Sequence, residues 1–118
     1  MKNLVLVMFV IFTKISIAQS YKNWDAKSIE GFYEKVSVKN GTMNEDGEKI
    51  NYIFVPTTLR SGQYDATIVD YKNNLYEIKG TNNFVVFSSY VGYWGYSGKT
   101  GVLDIGSSSW SSKFYIKP

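Results

Sequence analysis

The sequence predicts an all-β domain, and three observations carry that expectation. From Gly31 onward, short runs of alternating apolar and polar residues follow one another, each bounded by Gly, Asn, Asp or Ser. No stretch sustains the apolar spacing of an amphipathic helix. The connections are short, as antiparallel neighbours allow and parallel β-α-β crossovers do not. About seven such runs give one small antiparallel β-sandwich or β-barrel over residues 31–118, preceded by an N-terminal segment over residues 19–30.

Residues 1–18 read as a cleaved secretory signal peptide. Lys2 supplies the basic start, an apolar run extends from Leu4 to Phe12, and the small residues Ser16 and Ala18 suit cleavage before Gln19. The run is too short to span a bilayer, which takes about 20 apolar residues. No second apolar run follows, so a protein exported to the periplasm or the extracellular space, with no stable membrane anchor, is expected. Removing Lys2 and Lys14 from the 13 basic residues leaves 11 against 10 acidic ones, a mature chain close to neutral. Dispersed, balanced charge gives no footprint for nucleic acid, which needs a clustered basic face.

The chain has no cysteine, so an exported domain must hold together by its core alone. The aromatic complement of 3 Trp, 10 Tyr and 7 Phe can supply that core. Each buried ring removes roughly 150 to 250 Å² from water.

Taken in order, "WDAKSIEG" before the first strand is expected to form one helical turn. "FYEKVSV" puts Phe32, Val36 and Val38 on one face, and "KINYIFVP" does the same with Ile50, Tyr52 and Phe54 before Pro56 closes the run. Asn40-Gly41 and Asp46-Gly47 are both able to turn the chain between them. "QYDATIVDY" and "LYEIKG" flank Lys72-Asn73-Asn74 and predict a hairpin from about Gln63 to Lys79. The continuous apolar run Phe84 to Phe87 implies burial on both faces, and strands at "TGVLDIG" and "SKFYIKP" complete the count, separated by the polar loop "GSSSWSS". The stretch "LRSGQYDATIVD", Leu59 to Asp70, resembles the Leu-x-x-Gly-x-Tyr strand opening of many extracellular Ig-like and fibronectin-like sandwiches. The resemblance spans these residues alone and implies a strand beginning there.

The absence of histidine and cysteine removes Ser-His-Asp and Cys-His nucleophile systems, histidine acid-base catalysis and nearly all zinc and redox-metal sites. A carboxylate pair of the glycosidase kind is the enzymatic chemistry left, and no two of the ten acids are paired by the sequence. "NEDGEK", Asn44 to Lys49, lacks the regular acidic spacing of a calcium loop and reads as a charged hairpin tip. The glycines at 92, 95, 98 and 101 precede a strand rather than a helix, unlike a phosphate-binding loop. No enzyme, metal or cofactor is expected.

The remaining signal is "SSYVGYWGYSGKTG", Ser88 to Gly101, with Tyr90, Tyr93, Trp94 and Tyr96 among glycines. If it continues the Phe84 strand, Tyr90, Trp94 and Tyr96 share a face and cover an open end of the barrel or sandwich. If it is a loop, the four rings, with Trp110 from the serine-rich loop, form a ligand-binding platform for a carbohydrate or an exported protein partner. The expected function is thus a non-catalytic binding domain, with partner binding along a sheet edge by a structural, inhibitor or accessory protein as the alternative.

Overall fold

The computed structural model describes residues 19–118; the leader expected over residues 1–18 lies outside them. Seven strands follow a 3₁₀ turn at Gln19–Asn23: β1 (Asp25–Ser37), β2 (Tyr52–Thr57), β3 (Gly62–Lys72), β4 (Leu75–Ile78), β5 (Asn83–Phe87), β6 (Lys99–Ile105) and β7 (Lys113–Ile116). All pairings are antiparallel, in the order β2-β1-β5-β4-β3-β6-β7, and β7 pairs back onto β1. Six strands therefore close into a barrel and β2 lies outside it. Of the two predicted architectures, the chain adopts the barrel.

Closure depends on β1. Its first residues, Asp25–Ser28, pair with β7, while Phe32–Ser37 pair with β2 along the same edge and Ile29–Glu34 pair with β5 along the other. A register shift between Ile29 and Gly31 bends the strand at the handover, as bulges do. Because of it, both Ile29 and Phe32 point into the barrel and are buried. The helical turn expected for "WDAKSIEG" does not form: Asp25 to Glu30 belong to β1, so the barrel begins before Gly31. That stretch carries one core residue, Ile29, and its strand state comes from pairing with β7, a partner at the far end of the chain.

The β3–β4 hairpin forms as predicted, with Asn73 and Asn74 both at positive φ (52° and 64°) in the two-residue turn. Between β1 and β2 the chain uses both candidate turns: the Thr42 amide donates to the Lys39 carbonyl at the first. At the second, Asn44 Oδ1 accepts the amides of Asp46 and Glu48.

Strand parity assigns the layers. Ile68, Tyr76, Ile78, Val85, Leu103, Ile105 and Phe114 fill the interior with Ile29, Phe32 and Phe87. Val69, Glu77 and Phe84 have the opposite parity and face outward. Phe84 is nevertheless buried, because Phe54 from the outer strand and Tyr71 pack edge-on against it at 4.8 and 5.1 Å between ring centres. On the other flank Tyr21, from the 3₁₀ turn, covers Val102 and packs on Tyr115. The two outer covers bury apolar surface that a six-stranded barrel alone leaves wet, and no disulfide is present to assist.

Candidate functional site

The aromatic-glycine segment is the β5–β6 connection, Ser88–Gly98, and no strand forms in it. The reason is local: Gly92, Gly95 and Gly98 take positive φ (96°, 70° and 67°), a region closed to a regular strand. The glycines turn the chain three times across one end of the barrel, so the rings lose the alternation a strand imposes. One ring goes in and three go out. Trp94 is 9% exposed and packs against Tyr76, Phe87 and Phe114 at 5.2 to 5.9 Å between ring centres. Tyr90, Tyr93 and Tyr96 are 83%, 79% and 91% exposed.

Neither sequence reading holds whole. The end of the barrel is covered, as the strand reading expected, by Trp94 alone. The exposed rings on a loop match the platform reading, with Trp94 removed from it and serving as the plug beneath.

Asp70 holds the loop in place. Tyr64, Ala66, Ile68 and Asp70 share the inward parity of β3, and Asp70 stands opposite Tyr76 at the barrel's end. A carboxylate at an inward position needs partners, and the loop supplies them. Asp70 Oδ2 accepts the backbone N–H groups of Trp94 and of Gly95, the latter at 2.6 Å. The Asp70 amide donates in return to the Gly95 carbonyl at 3.3 Å. Beside it the Tyr76 hydroxyl donates to the Gly92 carbonyl at 2.5 Å. Burial, reinforced by the Asp70 carboxylate, pushes the Tyr76 phenol up from its ordinary value, which keeps it protonated as a donor. Two further bonds close the loop on itself: Trp94 Nε1 to the Val91 carbonyl at 3.1 Å, and the Gly98 amide to the Trp94 carbonyl at 3.1 Å.

In the sequence Asp70 is one acid among ten. The available signal was parity, since a carboxylate in step with Ala66 and Ile68 lies on the apolar face of its strand.

Two shallow depressions flank Tyr90. One, of about 280 Å³, is lined by Glu30, Asn74, Tyr76, Ser88, Ser89 and Tyr90 among others. The second, of about 290 Å³, lies between the β3–β4 turn and Tyr90, Gly92 and Tyr93. Both mix hydroxyl, amide and carboxylate groups with aromatic surface.

Trp110 is 79% exposed on a 3₁₀ turn, Ser109–Ser111, in the β6–β7 connection. That connection is rooted on β1: Ser109 Oγ donates to the Glu30 carbonyl at 2.9 Å, and the Ile29 amide donates to the Ser112 carbonyl at 3.2 Å. On the opposite edge of β1 the Ser88 amide donates to the Ser28 carbonyl at 2.9 Å. The roots of the Tyr90 and Trp110 loops thus flank the same residues, Ser28–Glu30.

The acidic cluster Asn44–Lys49 closes on itself, with Asn44 Nδ2 donating to Glu48 at 3.2 Å. Among the described residues no group of three or more Asp and Glu side chains could hold a metal ion, and no helix is long and apolar enough to cross a membrane.

Fold and loop together define a small closed β-barrel with one end plugged by tryptophan and decorated with tyrosine. Comparison of the chain with protein-family models, curated proteins and solved structures finds no match in any of the three.

Proposed function

We propose that this chain is an exported, non-catalytic binding module whose β5–β6 loop recognises a carbohydrate. The observation that carries the reading is the division of labour in the loop: Asp70, Tyr76 and Trp94 fix its backbone, while Tyr90, Tyr93 and Tyr96 stand almost fully in solvent. A fixed backbone lowers the ordering cost of binding, and tyrosine offers a flat face with few rotatable bonds. A sugar ring presents an apolar C–H face to such a side chain. Its hydroxyls then meet Glu30, Asn74, Ser88 and Ser89 in the depression beside Tyr90. Trp110, exposed on the connection that is rooted at Glu30, is the fifth aromatic assigned to the reading.

Export is part of the reading and rests on the signal-peptide pattern of residues 1–18. Its test is mass spectrometry of the protein recovered from an exporting host: a mature N-terminus at Gln19 supports export, and an intact N-terminus contradicts it.

Binding is tested by titrating soluble neutral and acidic oligosaccharides into the protein while following backbone amide NMR shifts. Saturable shifts at residues 88–98, Glu30 and Asn74 support the reading. Absence of saturable binding across the panel, or shifts confined to another face, contradicts it.

One observation favours a second reading, a protein partner added along a sheet edge. Closure gives every barrel strand a neighbour on both sides, whereas β2 has one on a single side among the described residues. The Val38 amide donates to the Asn51 carbonyl, so the alternation of the ladder turns the backbone of Tyr52, Phe54 and Pro56 toward that open edge. Pro56 has no N–H to offer there, which limits the edge to a short partner strand.

A further inference from the structure

The barrel's other end is built differently. Antiparallel topology puts the start of β3, the end of β4, the start of β5 and the end of β6 at the rim opposite the tyrosine loop. Tyr64 from the start of β3 stands there, its hydroxyl donating to the Arg60 carbonyl at 2.9 Å. An open cleft of about 320 Å³ enters there between inward-facing Ala66, Ile78, Leu103 and Ile105, with Leu59 from the β2–β3 connection on one side. Ile78, Leu103 and Ile105 belong to the main core, and Leu59, Tyr64 and Ala66 pack against it.

Arg60 stands on this rim and is the one arginine in the chain. Among the described residues no carboxylate forms an ion pair with it. Asp65, on the same rim, is the one acid among the lining residues, and the Thr81 hydroxyl is engaged with the Ile78 carbonyl at 2.7 Å. The cleft therefore offers an apolar interior with one unpaired cation at its mouth. At about 30 Å³ per atom, the volume of a liquid water, it holds roughly ten non-hydrogen atoms.

We infer that this cleft is a second binding site, for a medium-chain monocarboxylate whose apolar body enters between Ile78, Leu103 and Ile105 while its carboxylate pairs with Arg60. A carboxylate fits the planar fork of a guanidinium with two parallel hydrogen bonds. A neutral apolar molecule of the same length gains the interior and forgoes the pair. Asp65 repels the anion and sets a ceiling on its affinity. The site is independent of the tyrosine loop at the other end.

The test titrates octanoate and 1-octanol into the purified protein, following methyl and amide NMR shifts in wild type and in Arg60→Gln and Asp65→Asn. Both substituted side chains are exposed, so thermal unfolding is expected to stay unchanged and to report the fold intact. The expected result is saturable octanoate binding with shifts at Leu59, Ala66, Ile78, Leu103 and Ile105. Arg60→Gln weakens octanoate about tenfold or more, the scale of a charged hydrogen bond, and leaves octanol unchanged. Asp65→Asn tightens octanoate, and replacing Tyr90, Tyr93 and Tyr96 by Ala leaves it as in wild type. Shifts at other residues, equal loss of octanol and octanoate in Arg60→Gln, or no saturation with octanoate would overturn the assignment.

Discussion

The Asp70 carboxylate accepts the backbone N–H of Trp94, and with it that of Gly95, joining the end of β3 to the apex of the tyrosine loop. The pair couples an inward-facing charge to a ring that closes the barrel, so each makes the other tolerable. Hydrogen bonds to a charged acceptor contribute about 1.5 to 3 kcal/mol. Asp70→Ala is expected to lower stability by about that much and to speed amide hydrogen exchange at Trp94, Gly95 and Gly98 before the rest of the barrel. Unchanged protection at those amides would separate Asp70 from the loop.

Trp94 and its neighbours differ in what they support. Trp94→Ala empties a site walled by Tyr76, Phe87 and Phe114, and large-to-small substitutions of this kind cost about 3 to 5 kcal/mol. Tyr96→Ala removes a ring that stands in solvent, where changes stay within about 0.5 kcal/mol. Urea unfolding of the two variants measures the contrast, and similar losses in both would contradict the division between plug and platform.

The strands with alternation of their own were legible in the sequence, as was the Asn73-Asn74 turn. The first half of β1 was not, since its state depends on pairing with β7 from the other terminus and its outward residues carry no apolar period. The choice of barrel over sandwich was hidden for the same reason, because closure is a long-range pairing that no local pattern encodes. In the loop, residue types pointed to aromatic function while φ angles decided direction. Positive φ at three glycines broke the alternation that would have grouped Trp94 with Tyr90 and Tyr96.

Gly101 stands opposite Ile116 in the β6–β7 ladder. It has ordinary strand backbone, yet a Cβ built there would lie 1.9 Å from the Tyr115 carbonyl oxygen. Gly101→Ala is expected to cost about 1 to 3 kcal/mol through forced backbone shifts, read as a fall in Tm with loss of amide protection along β6 and β7. A wild-type Tm would show that the two strands have slack to separate.

The outer aromatic layer carries a pH signature. Tyr52 and Tyr71 share a hydroxyl hydrogen bond of 2.6 Å, with the Lys35 ammonium 4.1 Å from the centre of the Tyr52 ring. Donation from Tyr71 holds Tyr52 below its ordinary value of 10. Tyr71, kept protonated by that bond, is pushed up to about 12. A folded-state value raised above the unfolded one stabilises the fold fully below pH 10, and Tyr71's contribution is lost as the pH rises from 10 through about 12. Tyr52, with a lowered value, contributes in the opposite sense, gaining as the pH rises through its own titration. Tyrosine ring-carbon NMR is expected to resolve one early and one late phenol, and Tyr52→Phe to bring Tyr71 back toward 10. Coincident titration of the two would remove the bond from the account.

The central claim, that the exposed tyrosines of a fixed loop bind a glycan, is tested most directly by calorimetric titration. An oligosaccharide that binds the wild type is compared with the variant carrying Tyr90→Ala, Tyr93→Ala and Tyr96→Ala. The account predicts affinity lowered by about thirtyfold or more, the scale of a 2 kcal/mol hot spot, at unchanged Tm. Wild-type affinity in that variant would contradict it.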